Sequence, residues 1–68
     1  MTLGQKVRKA RGKASSVGYS RELGVSAQFL NNVEKDRRRP SIDALSRWVD
    51  LTGIPARDFY PEAASLFK

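Results

Sequence analysis

Residues 16–35 read S-V-G-Y-S-R-E-L-G-V-S-A-Q-F-L-N-N-V-E-K, and the four at the centre, Leu23-Gly24-Val25-Ser26, decide the fold. Before them, Tyr19 and Leu23 stand four apart, so a short helix over 16–23 would bury both on one face. Gly18 inside it costs about 1 kcal/mol relative to alanine. Gly24 ends it, because glycine accepts the left-handed conformation that a helix end often needs. Two residues later Ser26 is a good N-cap for a further helix over 27–35. There Leu30 and Val33 point inward, and Gln28, Asn31, Asn32 and Lys35 occupy other faces. Two short helices across so brief a link must meet at a sharp angle.

On the N-terminal side, Leu3, Val7 and Ala10 recur at helical spacing, and the pattern predicts a helix over 3–11. Gly12 ends it and Ser15 caps the next helix. On the C-terminal side, Asp36 stands where the chain must turn, and aspartate tolerates left-handed geometry better than most residues. Pro40 forbids helix at Arg39. Ser41 caps a helix over 42–52, whose inner stripe is Ile42, Leu45, Trp48, Val49 and Thr52, and Gly53 ends it. A last turn over 55–60 buries Phe59. No strand pattern or repeat occurs. The expectation is an all-α, five-helix domain over 1–60, followed by a tail over 61–68. Tyr19, Leu23, Leu30, Val33, Leu45, Trp48 and Phe59 are its expected core.

The chain has 68 residues, no cysteine and no histidine. It therefore has no disulfide, no plausible zinc site and no visible catalytic base, and no phosphate-binding glycine motif appears. Neither an enzyme nor a cofactor or metal protein is expected. The start, M-T-L-G-Q-K-V-R-K, lacks an apolar run long enough for a signal peptide or a membrane span, so the expected location is cytoplasmic. The net charge is +6, and it is unevenly spread. Residues 1–39 hold ten cations against three anions, and residues 40–68 hold three against four. Such asymmetry suggests a polyanionic partner, either nucleic acid or an anionic membrane.

The stretch 15–60 resembles the Cro/phage-repressor (Xre-like) helix-turn-helix family, most closely at L-G-V-S, at V-E-K-D-R-R-R-P-S and at D-A-L…L-T-G-I…D-F-Y. Where the family commonly has glutamine this chain has Ser16, and where it commonly has glycine it has Asp36. The resemblance implies a compact bundle of the lambda-repressor-like type with its helix-turn-helix at about 16–35. It implies sequence-specific binding of double-stranded DNA, with base contacts from Ala27, Gln28 and Asn32. Repression by promoter occlusion, as a homodimer on a near-palindromic operator, is the expected mode.

The chemistry of the residues agrees. Gln and Asn amides pair a donor and an acceptor with adenine N6 and N7, and Ala27 suits a thymine methyl. Asn31 can reach a base or a phosphate. Phe29 has two roles open to it, pressing on a thymine methyl or packing beside Val25 and Val33. Lys35, Arg37, Arg38 and Arg39 would lie along flanking phosphates, two of the three arginines touching DNA. Lys13, Ser15 and Ser16 sit at a helix N-terminus, itself a phosphate site. Glu34 is expected to partner a nearby arginine. Leu51, Ile54, Tyr60, Leu66 and Phe67 are candidate dimer residues. The alternative function is a protein-interaction module of the same fold, an antitoxin or anti-repressor, whose partner is another protein.

Overall fold

The computed structural model describes residues 1–62. Five α-helices follow one another: α1 (Leu3–Arg11), α2 (Ser16–Leu23), α3 (Ala27–Glu34), α4 (Leu45–Thr52) and α5 (Ala56–Phe59), with a 3₁₀ turn over Ile42–Ala44 leading into α4. No strand occurs among the described residues.

Short helices need their ends satisfied, and α1, α2, α3 and the 3₁₀ turn before α4 each start on a side-chain cap. Thr2 and Gln5 form a reciprocal capping box at α1, a Thr-x-x-Gln signature legible in the sequence. Ser15 Oγ accepts from Gly18 N at 3.0 Å, and Ser26 Oγ accepts from Phe29 N at 3.1 Å. Ser41 Oγ accepts from Ala44 N at 3.4 Å, at the 3₁₀ turn. Between α2 and α3, Gly24 adopts φ 76°, ψ 27°, the left-handed cap that bends the chain sharply. Arg47 lies over this turn, where its guanidinium would meet any side chain added at Gly24.

Trp48 is fully buried at the centre of the core. The rings of Phe29 and Phe59 meet it edge-on at 6.3 and 6.2 Å. Val7, Tyr19, Leu23, Leu30, Val33, Leu45 and Ile54 complete the buried set, so every expected core residue is in place. Burial, with Glu22 and Glu34 adding to it, pushes the Tyr19 phenol up from its ordinary range, and it stays neutral. α1 and α2 both pack on α3, and α4 closes the bundle against α1, α2 and α5.

Two expectations of the core are corrected. On α1, Val7 is fully buried and Leu3 packs half-buried against the core as expected, but Ala10 is exposed, and Gly4 (buried) and Arg11 (half-buried) share the inward side instead. Gly4 is buried because α1 comes so close to the end of α3 that a Cβ there would overlap the carbonyl oxygens of Glu34 and Val33. Ile42 is 56% exposed. It falls about a quarter-turn from the Leu45–Trp48 direction, at the first turn, where no described element covers it.

The expected dimer residues fare unequally. Ile54 belongs to the core, and the Tyr60 hydroxyl donates to the Pro40 carbonyl at 2.6 Å, so both are occupied within the chain. Leu51 is 38% exposed. Leu66 and Phe67 lie outside the described residues.

Candidate nucleic-acid interface

An α-helix turns about 100° per residue, which divides α3 into two arcs. Phe29, Leu30, Val33 and Glu34 face the protein, and Ala27, Gln28, Asn31 and Asn32 share the other side. Gln28 and Asn31 are exposed, Ala27 and Asn32 half-buried. Among the described residues the three amides make no side-chain hydrogen bond, so their donors and acceptors are free. The outer arc carries no charge. Its four residues offer a methyl group and three amides, the groups that base edges in a major groove can pair with.

Phe29, for which two roles were open, is half-buried with its ring against Trp48. The contact holds α3 on the core and directs the ring away from the amide arc.

Cations begin where the arc ends. Lys35 caps α3, and Asp36 follows with φ 61°, the turn geometry expected of it. Asp36 Oδ1 then accepts the N–H of Gly4 at 2.8 Å, tying the turn to the start of α1. Arg37 N donates to the Asn32 carbonyl at 2.9 Å, which folds the arginine run back on the last turn of α3. Lys13, Lys35, Arg37 and Arg38 are exposed, and none of the four forms an ion pair among the described residues. Ser15 is exposed and Ser16 half-buried at the start of α2; the Ser15 Oγ accepts the Gly18 N–H as a cap, which leaves its own O–H as a donor.

Arg39 differs from its neighbours. Its Nη2 lies 2.6 Å from Glu62 Oε1, its Nη1 donates to the Phe59 carbonyl at 3.3 Å, and its guanidinium stacks 4.1 Å over the Tyr60 ring. In the free chain this arginine, expected on a phosphate, faces a carboxylate instead. The hydrogen bond from Arg39 lowers the Glu62 carboxyl below its ordinary value, and the same bond raises the guanidinium. Sequence reading could not find this pair, because the two residues meet only once α5 has packed.

Glu34 has the arginine partner expected of it. Arg11 Nε donates to Glu34 Oε2 at 2.8 Å and Nη2 to Oε1 at 3.2 Å, a two-pronged pair with the Glu34 side chain almost fully covered. Arg11 Nη1 also holds the Ala14 carbonyl at 2.8 Å. The α1–α2 link, with Lys13 in it, is thereby fixed to the end of α3, and a carboxylate beside the arc is neutralised.

Among the described residues there is no group of side chains that could hold a metal ion, and no helix is long and apolar enough to cross a membrane. No curated protein and no solved structure matches the chain. A helix-turn-helix family model matches residues 5–59, which takes in α1 from Gln5 on, the other four helices whole and both sides of the turn at Gly24. The chain belongs to the Cro/Xre-like helix-turn-helix family and is a DNA-binding regulator of that type.

Proposed function

We propose that the protein represses transcription by occupying a near-palindromic operator as a homodimer, each protomer laying α3 in the major groove of one half-site. One observation carries this reading: an uncharged arc of amides on α3, bounded by cations, with neither set paired among the described residues. Ala27, Gln28, Asn31 and Asn32 would meet base edges. Lys13, Lys35, Arg37 and Arg38 would meet the flanking phosphates, with the N–H groups at the start of α2 completing the backbone contacts. One helix of eight residues spans about 12 Å and reads only a few base pairs. Two protomers about one helical turn apart would give a site long enough to be specific.

The test is selection of binding sites from random duplexes, followed by affinity measurement over a range of salt. The expected site is two-fold symmetric. Gln28→Ala and Asn32→Ala should each relax preference at one position per half-site. Arg38→Ala should weaken all sequences alike and reduce the salt slope by about one per protomer bound. A selected pool no different from the input would overturn the reading.

A second reading, a protein-binding role, has one observation in its favour: the exposed Ile42 opens an apolar groove with Leu45, Val49 and Ala56. It separates from the first by the same selection, since a module that grips protein alone would enrich no duplex.

A further inference from the structure

We infer that the core of the half-site read by α3 is built of A·T pairs, and that guanine is disfavoured wherever Gln28 and Asn32 make contact. The inference rests on the DNA-reading role proposed above and adds which bases that role selects.

The argument starts from what the outer arc lacks. Between Ala27 and Glu34 there is no arginine or lysine. The one charged residue there, Glu34, is turned away and held by Arg11. Guanine shows two acceptors in the major groove, N7 and O6, and is best met by a group with two donors, a guanidinium or an ammonium. A carboxamide set against those two acceptors can donate to one, but turns its own oxygen toward the other. Adenine shows an acceptor, N7, beside a donor, N6–H₂, and the carboxamide matches both.

Gln28 and Asn32 are four apart, so they lie on one side of the helix, about 6 Å along its axis, or roughly two base steps. Among the described residues both amides are free of internal partners, so neither has a bond within the fold to lose on meeting a base. Ala27, the small residue at the start of the arc, presents a methyl group for the C5-methyl of thymine. Phe29, the other residue that could have served there, is held on Trp48. The four outer residues therefore converge on the groups that A·T pairs display. The cations begin only at Lys35, beyond the arc, so affinity falls with salt while base preference does not.

The full-length chain is used for the test. Sites are selected from random duplexes at two salt concentrations. The best site is then remade with single A·T→G·C exchanges, with 7-deaza-adenine in place of adenine, and with uracil in place of thymine. At the positions whose preference depends on Gln28 or Asn32, the G·C exchange should weaken binding about 5- to 150-fold. The 7-deaza substitution should weaken wild type but not Gln28→Ala or Asn32→Ala at the matching position. Loss of the thymine methyl should weaken wild type, and Ala27→Gly should be insensitive to it. Gln28→Arg should move the preference at its own position toward guanine. Helix content and thermal midpoint of each variant establish that it is folded.

Selection of a specific site with G·C pairs at the Gln28- and Asn32-dependent positions overturns the inference and leaves the operator reading standing. Failure to enrich any duplex overturns both. Base preference that weakens in step with affinity as salt rises also overturns the inference, because it would assign discrimination to the cations.

Discussion

At Asp36 one residue does two jobs that pull in opposite directions. Its φ of 61° lies in the left-handed region, which costs a non-glycine residue on the order of 1–3 kcal/mol. The family commonly has glycine here, which removes that cost. This chain offsets it instead: Asp36 Oδ1 accepts the N–H of Gly4, one of the orphan donors at the start of α1. Only glycine fits at position 4, because the carbonyls of Val33 and Glu34 fill the space a side chain would need. The two residues thus act as a single joint between α1 and the end of α3. Asp36→Ala keeps the strained turn and loses the bond, and should cost about 1–3 kcal/mol in chemical denaturation. Asp36→Gly loses the bond but relieves the turn, and should stay within about 1 kcal/mol of wild type. Equal losses in the two variants would mean that the hydrogen bond, not the backbone, decides. The left-handed turn was legible from the residue type. Its partner was not, because nothing in the sequence marks Gly4 as the point where α1 touches α3.

The helices themselves were almost wholly legible, since each is short and announced by its ends. Ser15, Ser26 and Ser41 start elements, and Gly12, Gly24, Gly53 and Pro40 end or separate them. What spacing alone could not settle is phase. On α1 the residues that face the protein include a glycine and an arginine beside Leu3 and Val7, and neither registers as apolar, so spacing puts Ala10 on the face that Gly4 and Arg11 occupy. On α4 the chain enters through a 3₁₀ turn, and Ile42 sits at the rim of the stripe instead of beneath it. α3 escaped such errors because Leu30 and Val33 have no apolar rival except Phe29, and the amides mark the opposite side. Its dependence on its cap is correspondingly large: eight residues are too few to form a helix unaided in water. Ser26→Ala removes the acceptor for Phe29 N and should cost about 1 kcal/mol of stability. It should also raise amide exchange selectively in the first turn of α3. Exchange raised evenly across α1, α2 and α4 instead would show that α3 opens only with the whole bundle.

Across the whole molecule, charge is sorted by use. Lys6–Asp58 joins α1 to α5, and Arg11–Glu34 joins α1 to α3. Arg39–Glu62 draws one arginine of the run R-R-R toward the end of the described chain. Both partners of that last pair are largely exposed, so it adds little to stability. Its consequence is for the charge presented to DNA. While Glu62 holds Arg39, the run offers two guanidinium groups unpaired among the described residues, Arg37 and Arg38. A phosphate must displace a carboxylate to engage the third. Glu62→Gln removes the competing charge and should raise affinity for every duplex alike. It should also steepen the salt dependence by about one counterion per protomer, read by fluorescence anisotropy between 50 and 200 mM salt. The pH sign follows from Glu62, whose carboxyl is lowered by the Arg39 hydrogen bond. The pairing is fully present above the ordinary carboxylate range and is lost as pH falls through the lowered value. Between pH 6 and 8 it stays intact, so wild type and Glu62→Gln should differ by a constant ratio there. Adding Arg39→Ala to Glu62→Gln should abolish the gain. If the gain persists without Arg39, the carboxylate acts on DNA by direct repulsion and the arginine is only its structural partner.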